Sequence, residues 1–320
     1  MILFSMWLMY LFFILVAVAA DASYCNSNTD KNDGSCSSSN NIDPLVMKWI
    51  NELPTDSMYR NGQWVKLTSD DNIAADSINV INPSTGQTIT KVSVASKLDV
   101  DIAVNTTRVA LTNWSIETTL EERRDLVYKL LQLYNKNSEQ MAQLISHEMG
   151  APIDLSRSAQ VTSGSFVIEQ FLHEVDKGSF ESEYELDDTT TIYNEAIGVV
   201  ALITPWNWPM NQIALKVIPA LLVGCTVILK PSEQTPLSAL LFAKLIHDAG
   251  FPKGVFQLVN GYGSNHVGEW LASHKDIDMI SFTGSTRGGR EVSLAAASTL
   301  KRVSLEMGGK GANIIFDDIK

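Results

Sequence analysis

The chain has 320 residues, of which 45% are hydrophobic, and this is enough apolar material for one large folded domain or two. Its 24 basic and 36 acidic residues give a formal net charge of −12, which repels phosphate backbones. The composition therefore excludes a largely disordered protein and argues against a nucleic-acid partner.

The first 22 residues differ from the rest of the chain. Residues 2–20 contain no charge, glycine or proline, and an apolar stretch of this length can span a bilayer. Four alanines between residues 17 and 22 offer cleavage sites, so residues 1–22 are predicted to be a signal peptide, or else an uncleaved membrane anchor. We expect a protein of the secretory pathway or of a membrane; onward plastid import stays open.

Residues 23–41 are rich in Ser and Asn and are predicted to form a disordered linker, because they have too few apolar side chains to offset the entropy of ordering. Cys25 and Cys36 lie in this stretch, and the sequence leaves open whether they form a disulfide. Tripeptides that begin at Asn105 and Asn113 match the N-glycosylation pattern. They would be glycan acceptors only in a translocated chain, and because such tripeptides often occur by chance they are weak evidence alone.

Beyond the linker the chain is predicted to be largely helical at first. The pairs Ser96–Asp99 and Thr119–Glu122 are typical of capping boxes, and they precede two amphipathic helices, the second of which is predicted to end at Gly150. A further helix is predicted over residues 155–174. Alternation in TTTIYNEA, residues 189–196, predicts an outlying strand or a subunit-contact ribbon.

The second half of the chain alternates short apolar runs with helical stretches. The β-type runs are GVVALIT, TVILK, VFQLVN, DMISFT and RVSLEM. Because parallel strands need crossover connections, this rhythm predicts an α/β fold with a doubly wound, Rossmann-like parallel sheet and N-terminal helices. Ligands of such sheets bind beyond the carboxyl ends of the strands, so we expect the chemistry at the strand exits.

The first two strand exits carry polar side chains within proline-containing turns. TPWNWP follows the first run; its Asn207 amide could stabilise a developing oxyanion, or it could be an ordinary turn residue. LKPSEQTP follows the second run, where Lys230 leaves the strand towards the crevice and Glu233 can accept hydrogen bonds from ribose hydroxyls. A surface ion pair is the alternative interpretation of Lys230 and Glu233.

The next two exits are rich in glycine. NGYGSNHVG has the spacing GxGxxxxG, which departs from the GxGxxG pattern of dinucleotide-binding loops and is a weak signal alone. In FTGSTRGG, Gly284 allows close backbone approach, and Ser285 begins a helix whose free N–H groups suit a pyrophosphate, unless Ser285 is simply an N-cap. Candidate ligand contacts at four exits of one sheet favour the functional interpretation.

TPWNWP, KPSEQTP, FTGST and LEMGGK, in this order and at these intervals, resemble the NAD(P)-dependent aldehyde dehydrogenase superfamily. The resemblance covers roughly residues 42–320, somewhat over half of such an enzyme. It implies an NAD-binding domain at 42–305 and the start of a catalytic domain at 306–320. On this interpretation the chain is a C-terminally truncated fragment whose catalytic domain is largely missing.

The resemblance also implies roles for individual residues. Asn207 corresponds to the oxyanion-stabilising amide, and Glu306 to the general base that activates the thiol or the hydrolytic water. The implied cofactor contacts are Thr204, Pro205, Trp206, Asn207, Lys230, Pro231, Ser232, Glu233, Gly263, Ser264, Gly284, Ser285, Glu306, Met307 and Gly308. Glu233 favours a free 2′-hydroxyl and hence NAD, whereas Lys230 leaves NADP open. No metal site is expected.

The family's catalytic cysteine, by this resemblance, is expected beyond Lys320. Cys225 lies at the start of a buried strand without a basic neighbour in sequence, and is predicted to be a small core residue. The expected activity is NAD-dependent oxidation of a small-molecule aldehyde to a carboxylic acid through a cysteine thiohemiacetal, carried out by a homo-oligomeric parent enzyme. The alternative is a catalytically inactive short form that binds NAD or a partner protein.

Overall fold

The predicted leader, residues 1–22, and the predicted linker, residues 23–41, lie outside the part of the chain for which there is a structure. The computed structural model describes residues 42–67, 76–309, 311–312, 314 and 316. All of these belong to one unit, which spans residues 40–320. Within those described ranges, no helix has both the length and the apolarity needed to cross a membrane.

Helices and strands of the described residues are numbered here in chain order. The helices are α1 (Pro44–Asn51), α2 (Lys97–Thr112), α3 (Leu120–Lys136), α4 (Ser138–Met149), α5 (Ile153–Leu155), α6 (Val161–Asp176), α7 (Pro209–Leu222), α8 (Pro236–Ala249), α9 (Val267–Ser273) and α10 (Thr286–Ala297). The strands are β1 (Ser57–Arg60), β2 (Gln63–Lys66), β3 (Ser77–Ile81), β4 (Thr88–Ser93), β5 (Glu183–Asp187), β6 (Thr190–Tyr193), β7 (Val199–Ile203), β8 (Thr226–Lys230), β9 (Phe256–Leu258), β10 (Met279–Gly284) and β11 (Arg302–Met307).

The largest sheet has seven strands in the order β11-β10-β7-β8-β9-β1-β2. The first five are parallel to one another, and they are the five apolar runs of the second half of the sequence. Their order places β7, the first of them along the chain, between β10 and β8. The predicted doubly wound parallel sheet is therefore confirmed.

Two apolar cores cover the two faces of this sheet. Val200 and Leu202 of β7 pack into one core, together with buried residues of α3, α6, α7 and α8. Val199 and Ile203 pack into the other, together with residues of α2, α9 and α10. Alternate residues of a strand point to opposite faces, so a run that is apolar at every position has to be covered on both sides.

Strands occupy part of the region that was predicted to be helical. Residues 57–66 form the hairpin β1–β2, which adds two antiparallel strands to the sheet beside β9, and β3–β4 form a separate hairpin. Asn61 and Gly62 connect β1 to β2 with φ of 50° and 72°. An Asn-Gly pair between short strands is typical of such hairpins, so the largely helical prediction is wrong here.

The helices agree with the predictions at their ends more closely than in their interiors. Both capping boxes are present, at Ser96–Asp99 and Thr119–Glu122. The second predicted helix does end at Gly150, but it consists of α3 and α4, which meet at Asn137. The Asn137 side chain donates to the Leu133 carbonyl at 2.8 Å, a local bond that competes with helix continuation.

The helix predicted over residues 155–174 is also interrupted. It consists of α5, a π-helical turn at Ser156–Gln160 and α6, which continues to Asp176. The alternating stretch 189–196 contains β6, which pairs with β5 as a two-stranded ribbon whose β5 residues are all exposed. The outlying strand is thus confirmed, and its role in subunit contacts stays a prediction.

Candidate active site

The parallel strands bring the predicted site segments to one edge of the sheet. In the strand register Ile203, the last residue of β7, lies beside Lys230 of β8 and beside Phe282 of β10. Thr283 of β10 lies beside Glu306 of β11. The segments that follow these strands are therefore neighbours in space although they are far apart in sequence.

The segment after β7 turns from the core to the surface. Thr204 is buried, and its backbone N–H donates to the Lys230 carbonyl at 3.1 Å. Pro205 is half-buried, and Trp206 is 48% exposed. Asn207 is exposed, and its carbonyl accepts a hydrogen bond from Gln160 Nε2 at 3.3 Å. The backbone at Asn207 is thus tied to the helical layer while its side chain stays accessible.

The segment after β8 places a buried cation beneath an accessible carboxylate. Lys230 is 2% exposed; its Nζ donates to the Pro231 carbonyl at 3.0 Å and lies 3.6 Å from Glu233 Oε2. Burial lowers the pKa of Lys230, and the Glu233 carboxylate opposes that shift. Ser232 is buried and accepts from the Gln234 N–H at 3.2 Å. Glu233 is the member of this segment that can reach a ligand.

A cleft of about 250 Å³ lies between α9 and α10. Two predicted residues, Gly263 and Ser264, line it. The other lining residues were not predicted from the sequence: Ile203, Gly268, Glu269, Phe282, Gly288, Glu291, Val292, Leu294 and Ala295. Most of them project from α9 and α10, and a helical pattern does not show which other helix its exposed face meets.

Gly284 and Ser285 form the start of α10 beside this cleft. The Ser285 hydroxyl accepts from the Gly288 N–H at 3.1 Å, so Ser285 is the N-cap of α10. A Cβ added at Gly284 or at Gly288 would lie 2.6 or 2.7 Å from Phe282 Cζ. The two glycines therefore let the Phe282 ring lie against the start of the helix as part of the cleft wall.

Glu306, Met307 and Gly308 end β11 and the described sheet. Glu306 and Met307 are exposed, and the Gly308 N–H donates to the Gly284 carbonyl at 3.3 Å. No described atom lies near the place of a Cβ at Gly308. The predicted boundary between residues 305 and 306 falls within β11, so Glu306 is carried by the last strand of the sheet.

Lys216 of α7 is a further candidate residue, which was not predicted from the sequence. Its Nζ donates to the Ser281 hydroxyl at 2.7 Å. Burial lowers the pKa of Lys216 to about 8, and the negative charge of Glu306 favours the charged ammonium. A lysine within the apolar stretch QIALKVIPALL was a signal that could have indicated a buried, functional cation.

Cys225 is buried in the core and is the only cysteine among the described residues. Burial is the largest influence on its thiol and raises its pKa. The prediction that Cys225 is a core residue is confirmed, and the thiol is poorly suited to act as a nucleophile. In the same ranges, no cluster of His, Cys, Asp and Glu side chains could hold a metal ion.

Several buried polar atoms near this edge of the sheet have no hydrogen-bond partner in the described part of the chain. They are Thr204 Oγ1, Thr235 Oγ1, Asn260 Oδ1 and Nδ2, His266 Nδ1 and Thr283 Oγ1. Thr283 lies in β10, and the others lie in the connections that follow β7, β8 and β9. Buried polar atoms normally pair with protein, water or a ligand, so this edge is suited to a polar ligand.

Sequence comparison identifies the family. The profile of the aldehyde dehydrogenase family matches residues 70–320. The chain belongs to the aldehyde dehydrogenase family. Among its relatives is 3-succinoylsemialdehyde-pyridine dehydrogenase from a Pseudomonas species, 44% identical over 264 residues, which cover 81% of this chain and 53% of that protein. The family inferred from the motifs is confirmed.

Solved aldehyde dehydrogenase structures share the fold. The enzyme from Bartonella henselae superposes with a TM-score of 0.78 at 47% identity, over 83% of this chain and 55% of that one. A mutant of aldehyde dehydrogenase C from Pseudomonas syringae, solved with NAD+ and octanal, gives 0.77 at 45% identity, over 83% and 53%. This aldehyde dehydrogenase chain thus spans about half the length of the relatives that it matches.

Proposed function

We propose that this chain forms the NAD-binding part of an enzyme that oxidises a small-molecule aldehyde to a carboxylic acid. The observation that carries the proposal is the convergence of five strand exits on one edge of the sheet, beside a cleft between α9 and α10. The Pseudomonas syringae relative, which shares this fold, was solved with NAD+ and octanal. Its ligands support the same ligand classes for this chain.

The residues at this edge fit a dinucleotide. The start of α10 at Gly284 and Ser285 offers backbone N–H groups and the positive end of a helix dipole to a pyrophosphate. Glu233 offers a carboxylate to ribose hydroxyls. The cleft has apolar walls at Ile203 and Phe282 for a base. When bound, NAD supplies the hydride acceptor of the reaction.

Asn207 and Glu306 are the proposed catalytic side chains. Asn207 is exposed at the exit of β7, where its amide N–H can donate to an oxyanion that develops on the aldehyde carbonyl. Glu306 is exposed on the outermost strand of the sheet and can take up a proton from a thiol or from water. The Glu306 carboxylate in turn favours the charged form of the nearby Lys216 ammonium.

Cys225 is poorly placed to supply the thiol that attacks the aldehyde, because it is buried in the core and burial raises the pKa of its thiol. We therefore propose that the 320-residue chain binds NAD without oxidising aldehydes by itself. This retains the short-form alternative for the isolated chain and assigns the oxidation to the complete enzyme.

We further propose that NAD is preferred over NADP. The Glu233 carboxylate is the accessible member of the Lys230–Glu233 pair, whereas the Lys230 ammonium is almost completely buried beneath it. A 2′-phosphate would meet the carboxylate first, and two negative charges in contact repel each other.

Isothermal titration calorimetry of the 320-residue chain with NAD+ and with NADP+ tests the proposal. We expect measurable NAD+ binding and weaker NADP+ binding. In Glu233→Gln the ratio of the NAD+ affinity to the NADP+ affinity should be at least tenfold smaller, which corresponds to about 1.4 kcal/mol. Glu117→Gln, which changes an exposed carboxylate at the other end of the sheet, is the control and should keep the ratio. A chain that is folded by circular dichroism but does not bind NAD+ would overturn the cofactor assignment.

An aldehyde panel followed by NADH absorbance tests the inactivity of the isolated chain. We expect no NADH formation above background. Sustained formation that survives Cys225→Ala would show that another group acts as the nucleophile, and the proposed division between this chain and the complete enzyme would be wrong.

A further inference from the structure

The asparagines of two N-glycosylation tripeptides lie on one exposed side of a helical segment that the proposed function does not use. Asn105 lies in α2, and Asn113 begins the π-helical turn that follows it. Both asparagines are exposed. Between and beyond them lie two exposed apolar residues, Val109 at 72% and Ile116 at 74%. Residues four apart in a helix lie on the same side, so Asn105, Val109 and Asn113 share one surface.

The two acceptor amides are free of other structural roles. In the described part of the chain, neither the Asn105 nor the Asn113 side chain makes a hydrogen bond with another residue. Asn82 offers a contrast, since it precedes Pro83 and its Oδ1 accepts from the Ser84 N–H at 2.9 Å. A proline in the middle position disqualifies Asn82-Pro83-Ser84 as an acceptor.

This surface lies away from the proposed cofactor site. The Thr107 carbonyl accepts from Thr226 Oγ1 at 3.2 Å, and Thr226 is the first residue of β8. Ser115, in the second tripeptide, packs beside Gly224, which precedes the same strand. The tripeptides are therefore next to the amino end of β8, whereas Lys230 and Glu233 lie at its carboxyl end. Bulky groups on Asn105 and Asn113 would leave the cleft open.

We propose that Asn105 and Asn113 carry N-linked glycans, and that the apolar residues 2–20 direct the chain into the secretory pathway where the glycans are added. The donor is a lipid-diphosphate-linked oligosaccharide. The Asn Nδ2 forms a bond to C1 of the first sugar, the bond from C1 to the diphosphate oxygen breaks, and the lipid diphosphate leaves with the electron pair. The amide gives up one proton to solvent. No electrons are exchanged.

The folding of α2 limits when a glycan can be transferred to Asn105. Thr107, whose hydroxyl completes the first tripeptide, is fully buried and donates to the Ala103 carbonyl at 2.8 Å. A transferase cannot contact this hydroxyl in the folded chain. Transfer to Asn105 therefore precedes the folding of α2. After folding, the glycans shield the exposed Val109 and Ile116 side chains, an arrangement that suits a bulky, solubilising surface group.

Cell-free translation of the full chain with microsomes, followed by treatment with a peptide N-glycosidase, tests the proposal. The expected product loses mass in two steps upon digestion. Asn105→Gln and Asn113→Gln should each show only one of the two losses of mass, and the double variant should show neither. Asn135→Gln, an exposed helical asparagine outside any tripeptide, is the matched control and should keep both steps.

Two further experiments test whether residues 2–20 are needed for glycosylation and whether transfer to Asn105 precedes folding. Deletion of residues 2–20 should abolish the glycans, and microsomes added after translation should give no transfer to Asn105. A full chain that is insensitive to the glycosidase would overturn the proposal, and so would one modified only after its own leader is replaced by a known signal peptide. None of these readouts depends on NAD binding, so their failure is separate from failure of the proposed function.

Discussion

The Lys216 ammonium of α7 donates a hydrogen bond to the Ser281 hydroxyl of β10 at 2.7 Å, one strand away from the β11 strand that carries Glu306. Burial lowers the pKa of Lys216 to about 8, and the Glu306 carboxylate works against this shift. The proposed proton acceptor and a titratable cation are thus electrostatically coupled across the sheet edge.

Removal of the Glu306 charge should move the titration of Lys216. In Glu306→Gln the pKa of Lys216 should fall below its value of about 8, because the carboxylate no longer favours the ammonium. NMR titration of isotopically labelled lysine side chains measures the change. Glu185→Gln, which changes an exposed carboxylate of β5, serves as the control. An unchanged Lys216 titration in Glu306→Gln would show that the two groups are not coupled.

Glu148 should make the stability of the fold depend on pH. This buried carboxylate of α4 accepts from the Leu237 N–H at 2.6 Å and the Ser238 N–H at 3.0 Å, in the first turn of α8. Burial raises its pKa from 4.5 to about 7. Between these values the folded chain holds a proton that the unfolded chain has lost. The unfolding free energy therefore decreases as pH rises through this window, by roughly 3 kcal/mol at most.

Urea unfolding at pH 5 and at pH 8 measures this dependence. In Glu148→Gln the side chain cannot ionise, so the contribution of this site to the difference between the two pH values should disappear. Glu169→Gln, which changes an exposed carboxylate of α6, should keep the wild-type difference. Equal pH dependence in wild type and Glu148→Gln would rule out this residue as the source.

Gly198 should tolerate no side chain. Its φ is 125°, and an added Cβ would overlap the Asp278 carboxylate, which accepts from the Val199 N–H at 2.7 Å and pairs with Arg108 at 2.7 Å. Gly198→Ala should therefore lose more than about 2 kcal/mol of unfolding free energy, from backbone strain and a displaced hydrogen-bond acceptor.

Gly250→Ala is the matched control for that substitution. Gly250 has φ of 87° but no atom within 4 Å of an added Cβ. Gly250→Ala should therefore lose only roughly 1–2 kcal/mol of unfolding free energy, which is the cost of a left-handed backbone for a residue with a side chain. Denaturant unfolding of both variants gives the comparison. A Gly198→Ala variant no less stable than Gly250→Ala would contradict the proposed clash with Asp278.

Filling the cleft between α9 and α10 should block the cofactor. Ala295 lines the cleft, and Ala297 is exposed on the same helix outside it. Ala295→Phe should weaken NAD+ binding at least tenfold by calorimetry, because the larger ring occupies the space that we assign to the base. Ala297→Phe should bind as wild type does. Equal affinities would place the base elsewhere.

The sequence was sufficient to predict some elements because their determinants are local. β7 is apolar at every position and β8 at its three central positions, which is typical of strands covered on both faces, and both strands are buried. The capping box at Ser96 and Asp99 lies within four residues and could be recognised without tertiary information. The β1–β2 hairpin has an equally local signal in Asn61-Gly62, although it was not among the predicted elements.

The remaining features of the site depend on which surfaces meet. The helical pattern of α10 shows that Ala295 lies near its buried side, but only packing shows that this side faces α9 across a cleft. In the same way, Lys216 reaches Ser281 through a contact between residues 65 positions apart. The sequence by itself determined the parallel sheet, the family and the residues at the strand exits, because these follow from short-range pattern and motif. Only the tertiary structure decided the cleft, the Lys216–Glu306 coupling and the buried state of Glu148, because desolvation and Coulomb interactions depend on distances between distant parts of the chain.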